Sequence, residues 1–190
     1  MLALYWKQDR VVQELIDNFN NDFKAHVKIK ESHISPFENF PFISIDLEEL
    51  TLYENETHEN VHILDLHDVY IGFNIWDIVS GNMEIKSILL NNGSINLVQH
   101  KDGRFNITDA LTAKKEIKNP KEEFHLNLKS INLKNIDINK LNESNGMYFD
   151  LLINEAQSNF KTINDDVQMF LDSKFIVTYI DNGDTTFIHN

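Results

Sequence analysis

The 190-residue sequence contains no cysteine. Disulfide scaffolds, cysteine-ligated zinc ribbons, iron–sulfur centres and thiol catalysis are thereby excluded. Basic residues are scarce as well: 17 Lys+Arg stand against 30 Asp+Glu, a formal net charge of −13. Sequence-independent binding to nucleic acid needs a basic footprint that displaces counterions, so no nucleic-acid partner is expected. No run approaches 18 consecutive apolar residues, so no complete transmembrane helix is expected. Alanine (5), proline (3) and glycine (6) are few, whereas asparagine (24) and isoleucine (22) are abundant. That balance favours strands joined by Asn-rich turns over a helical bundle. An AT-rich genome produces the same bias, so pattern has to decide. With 42% hydrophobic residues the chain can bury a core, as one domain or one plus an appendage.

Residues 1–27 carry the only long helical pattern. Val11, Val12, Leu15, Ile16, Phe19 and Phe23 form one apolar stripe, with Asp9, Glu14, Asp17, Asn18 and Asp22 largely opposite. From Ala25 the period changes to that of strands. Ile43, Ile45 and Leu47 alternate; after Glu48-Glu49 the phase slips by one, and Leu50 and Leu52 resume. Similar slips follow in Val61–Phe73 and in Phe124–Ile138, and each predicts a β-bulge that bends and twists its strand. A solenoid built on the five-residue spacing of Ile131–Leu141 ranks second. Asn91-Asn92-Gly93, Lys101-Asp102-Gly103 and Asp181-Asn182-Gly183-Asp184 read as hairpin turns. The expected fold class is α+β: an N-terminal amphipathic helix, then a long, coiled, mainly antiparallel β-sheet forming a groove. The expected divisions are the helix at 1–27, a β-region at 28–111, a charged linker at 112–122 and more β-sheet at 123–190.

The sharpest apparent motif is His58-Glu59-Asn60-Val61-His62, which matches H-E-x-x-H. In a zinc hydrolase, two histidines one helical turn apart hold the metal and the glutamate acts as base. Here the five residues run from a polar turn into an alternating strand, so an accidental match in a hairpin is the favoured reading. A metal-dependent hydrolase using His58, Glu59, His62 and His67 is the alternative. Adventitious surface metal binding around His67, Asp65 and Asp68 ranks just above catalysis. Paired acids such as Glu48-Glu49 sit in bulge or turn contexts, and no nucleophile elbow, P-loop or dinucleotide fingerprint occurs. No catalytic residue, cofactor or resident metal is expected. A single modest helix leaves much strand apolar surface to be closed by sheet curvature, more chain or a ligand.

Several segments, taken in order, resemble the N-terminal region of AsmA-like proteins, relatives of the TamB and chorein-type β-groove proteins. They are the helix running into Asn20-Asn-Asp-Phe-Lys-Ala-His-Val-Lys-Ile29, Ser35-Pro-Phe-Glu-Asn-Phe-Pro-Phe-Ile-Ser-Ile45, Val69-Tyr-Ile-Gly-Phe-Asn-Ile-Trp-Asp-Ile-Val-Ser-Gly81 and the turn Lys101-Asp-Gly-Arg-Phe-Asn106. The resemblance covers about half the chain, from Val11 to about Ala110. It implies a non-enzymatic periplasmic protein of the Gram-negative envelope, held at the inner membrane by an N-terminal anchor. Family members normally begin with a complete membrane span and are several times longer. Met1–Trp6 accordingly resembles the outer end of such a span, and 123–190 the start of further groove. The implied ligand is phospholipid, with other envelope proteins as further partners. The implied lipid-facing residues are Ile43, Ile45, Leu47, Val69, Ile71 and Phe73, which alternation puts on one strand face.

Overall fold

The computed structural model describes residues 12–13, 16–35, 43–55, 62–74, 85–114, 128–163, 166–182 and 185–189. A helical segment α1 occupies residues 16–22, after a helical turn at 12–13. Its apolar stripe does what the pattern requires: Val12 is buried, and Ile16 and Phe19 pack against the core. Asn20 ties this segment to the sheet through both ends of its carboxamide. Its Oδ1 accepts from Val27 N at 2.6 Å, and its Nδ2 donates to Val27 O at 3.0 Å.

Among the described residues nine strands form one mixed sheet: β1 (His26–Lys28), β2 (Glu31–Ser35), β3 (Ile43–Tyr53), β4 (His62–Phe73), β5 (Ile85–Gln99), β6 (Ser130–Asn142), β7 (Tyr148–Ile163), β8 (Asp166–Asp181) and β9 (Thr186–His189). They lie in the order β1-β3-β4-β5-β6-β7-β8-β9, with β2 also against β3. Every pairing is antiparallel except β5 with β6, which run parallel. A parallel pair cannot be closed by a tight turn. Here the chain passes through the short helix α2 (Asn106–Ala110) before returning as β6.

Two expectations need correction. Asn91-Asn92-Gly93 is no hairpin turn but the middle of β5, with Asn92 at φ 55°. The phase slips at Glu49 and Asn135 are also not two-against-one bulges. Glu48 pairs with Asp68 and Leu50 with Leu66, so Glu49 and His67 are passed over together. The same level passes over Asn92 in β5 and Asn135 in β6. Register is therefore kept while Glu49, Asn92 and Asn135 each adopt a left-handed backbone (φ 51°, 55° and 52°). One left-handed residue reverses the alternation, so apolar residues on both sides of it reach the same face. A two-against-one irregularity does occur at Asn154 in β7, between Ile153 and Glu155.

The left-handed positions mark an internal repeat. Residues 44–53, 87–96 and 130–139 each begin Ser-Ile-x-Leu, with Glu49, Asn92 and Asn135 sixth and Leu52, Ile95 and Ile138 ninth. In the parallel pair this stacks like upon like at a separation of 43 residues. Ser87 meets Ser130 at 2.9 Å, Asn135 donates to Asn92 at 3.0 Å and Asn139 to Asn96 at 3.2 Å.

Candidate functional site

Cross-strand partners lie on one face of a sheet, so the register defines what each face presents. One face is largely apolar along transverse rows six strands long. Ile45, Ile71, Ile88, Ile131, Ser158 and Leu171 make one row. Leu50, Leu66, Gly93, Ile136, Ile153 and Phe175 make another, beyond the left-handed level. All six residues expected from the sequence stand on this face as three cross-strand pairs: Ile43 with Phe73, Ile45 with Ile71, and Leu47 with Val69.

The two ends of that face differ. Ile45, Leu47, Val69 and Phe73 are buried in the cluster that also holds Val12, Ile16 and Phe19. The cover over the β3–β4 end is therefore the chain itself. At the other end the face is open, with Leu171 61% and Phe175 55% exposed. Sequence reading missed Leu171 and Phe175; the signal was the two-residue spacing of Met169, Leu171, Phe175 and Val177, partly hidden by Phe170 and Ile176 on the other phase. Beyond β8 only Tyr179, Ile180 and Asp181 are paired, with β9, so 166–178 forms an open edge among the described residues.

The opposite face is polar and acidic over β2–β5. His33 lies between Asp46 (Nε2–Oδ2 3.1 Å) and Glu48 (Nδ1–Oε1 3.1 Å). His67 lies between Asp68 (Nδ1–Oδ2 3.0 Å) and Glu49 (Nε2–Oε1 3.4 Å). The hydrogen bond to Asp68, then the charges of Asp68 and Glu49, raise the His67 pKa above its ordinary value. Along the left-handed level this face is indented by an open depression of about 420 Å³, walled by Glu49, Asp65, His67, Asn92, Asn135 and Asp137 among others. Of the H-E-x-x-H segment, His62 opens β4 as the partner of Tyr53. His58 to Val61 lie outside the described residues, as do Ile75–Val79 and most of the 112–122 linker.

The Lys101–Asn106 turn closes on a buried anchor. Asn106 is 2% exposed, and both ends of its carboxamide are bonded. Oδ1 accepts from Val98 N at 3.0 Å and Ile107 N at 2.9 Å, and Nδ2 donates to Asn96 O at 2.9 Å. Gly103 N bonds His100 O, Gln99 bridges to Phe105, and Arg104 holds Asp102 and Asp109. The Asp102 pKa is lowered, first by the backbone N–H of Arg104 and then by its side chain.

The sequence profile of the AsmA family matches residues 8–173. The chain belongs to the AsmA family. That span runs from before α1 into β8 and holds the first apolar row through Leu171 and the second as far as Ile153. No curated protein matches the chain. Membership points to an envelope- or lipid-related role, and the AsmA family is not generally known as an enzyme family. Two asparagines in the motifs that carry the likeness, Asn20 and Asn106, are the carboxamide clamps that fasten α1 and α2 to the sheet.

Proposed function

We propose that this AsmA-family chain holds phospholipid acyl tails against the apolar face of its sheet, as part of outer-membrane biogenesis and phospholipid homeostasis. The observation that supports this is the continuity of that face. Broken only by Ser158 in one row and Gly93 in the other, apolar residues run in register from the covered Ile45–Ile71 end to the exposed Leu171 and Phe175. A tail laid there needs no polar contact, because each sheltered CH₂ contributes ~0.8 kcal/mol. In this reading Ile43, Ile45, Leu47, Val69, Ile71 and Phe73 form the inner end of a groove, and β7–β8 its mouth. The proposed setting is the periplasm of a Gram-negative cell, with the protein held at the inner membrane by an N-terminal anchor. The proposed role is non-enzymatic.

A photo-crosslinking residue at 171 or 175, activated in cells, tests the reading. A phospholipid adduct recovered from both positions is the expected outcome. Crosslinks to protein alone would favour a second reading, supported by the open β8 edge, in which an envelope protein adds a strand there. Absence of any adduct from either position would sink the first.

A further inference from the structure

From the polar face we infer that His33, Asp46 and Glu48 form a binding site for a single divalent transition-metal ion of the zinc class. The three residues come from two paired strands: His33 of β2 is the register partner of Asp46 in β3, and Glu48 lies two residues along the same face. One ligand-type atom from each lies within 4.8 Å of the other two; His33 Nε2 and Asp46 would bond the ion, and Glu48 would orient the ring from Nδ1. Zinc bonds to imidazole nitrogen and carboxylate oxygen at about 2.0–2.2 Å, which puts neighbouring ligand atoms on one ion about 3–3.5 Å apart. The 3.1 Å between His33 Nε2 and Asp46 Oδ2 is that separation.

A neutral imidazole carries one N–H and one lone pair. Both nitrogens of His33 face carboxylate oxygens at 3.1 Å, so a neutral ring sets one lone pair against an anion, and either a second ring proton or a metal cation relieves it. A metal on Nε2 removes that conflict and leaves Nδ1–H to donate to Glu48. A second carboxylate on the far ring nitrogen is the usual way a metal-binding histidine is oriented and made more basic. The Asp46 side chain is only 4% exposed, so this carboxylate is fixed by the sheet rather than free to turn to water. Water completes the coordination on the open side, where His33 is half exposed. Imidazole with carboxylate favours zinc and its neighbours over magnesium or calcium, which prefer all-oxygen shells. His67, between Asp68 and Glu49, is more exposed and less closely held, and it serves as an internal control.

The test is titration of the full chain with zinc chloride, followed by calorimetry and native mass spectrometry. One zinc per chain is expected, with affinity lowered at least about 100-fold by His33→Gln and by Asp46→Asn, and about 10-fold by Glu48→Gln. Circular dichroism reports whether each variant keeps its sheet, and His33→Gln, at a half-exposed ring, is the variant that decides if Asp46→Asn unfolds. His67→Gln and the pair His58→Gln with His62→Gln should leave the affinity unchanged. Absence of saturable one-to-one binding, or zinc binding that survives His33→Gln, overturns the inference. So does binding that is lost only when His58 and His62 are replaced.

Discussion

Asn135 donates its side-chain N–H to the side-chain oxygen of Asn92 at 3.0 Å, across a parallel strand pair and 43 residues of sequence. Both residues have a left-handed backbone, φ 52° and 55°. Asparagine suits this position twice: it tolerates that conformation better than other residues with a side chain, and its carboxamide can stack on an identical neighbour. Replacing Asn135 by Ala should destabilise the chain by about 1–2 kcal/mol, whereas Asn135→Gly should cost less despite losing the same bond. Urea unfolding of the two variants checks this; an equal loss would mean that the bond, not the backbone, is what matters.

Gly93 follows at the point where β5 passes β4. A Cβ placed there would lie 2.2 Å from the Asp65 carbonyl oxygen and 2.8 Å from the Leu66 Cα, both backbone atoms that cannot turn aside. Gly93→Ala should cost about 3 kcal/mol or more, or open the β4–β5 pairing. Hydrogen exchange at Leu66 and Ile95 would reveal the second outcome; a variant as stable as the parent would contradict the close approach.

Asn106 satisfies two backbone N–H groups and one carbonyl from a fully buried position. Asn106→Ala leaves them without their partner, a loss of about 2–3 kcal/mol. Asn106→Asp keeps the acceptor but sets an anion against the Asn96 carbonyl, so it should rescue little. Thermal unfolding of both variants checks this, and near-parent stability for Asp would show that water can take over the donor role.

The two ends of the apolar face should respond oppositely to substitution. Phe73 is 2% exposed and Phe175 55%. Phe73→Ala should cost about 3–5 kcal/mol through cavity formation. Phe175→Ser should change stability by less than about 1 kcal/mol while lowering phospholipid co-purification, measured by native mass spectrometry. Unchanged lipid content in Phe175→Ser would remove β8 from the proposed groove.

His67 titrates above the ordinary histidine value of 6.5 because Asp68 accepts its hydrogen bond and Asp68 and Glu49 surround it with negative charge. Its folded pKa exceeds its unfolded one. Any stability it contributes is therefore complete below about pH 6.5 and is lost as pH rises through the folded value. An NMR titration of the ring should show a midpoint above 6.5 that falls toward it in Asp68→Asn. No movement on that substitution would rule out Asp68 as the cause.

Much of this molecule could be read without coordinates. The helical stripe of Val12, Ile16 and Phe19 reaches the core because period 3.6 admits one solution for a buried face. The alternations of Ile43–Leu47 and Val69–Phe73 put six residues on one face because period 2 does the same for a strand. The phase slip at Glu49 was visible too, but its cause was not. A bulge and a left-handed residue leave the same one-residue slip, and only the partner strand shows whether register is kept.

The sequence by itself determined the acidic exterior, the absence of thiol chemistry, the strand-rich fold and the face that each apolar run would present. These follow from composition and local periodicity, which each segment carries alone. The tertiary structure decided which strands are neighbours, that β5 and β6 run parallel, and that identical residues 43 apart lie side by side. It also decided that His33 meets Asp46 and Glu48, and that the apolar face is covered over β3–β4 but open at β8. Those are contacts between distant segments, and no local pattern specifies the distance between residues that only the assembled sheet brings together.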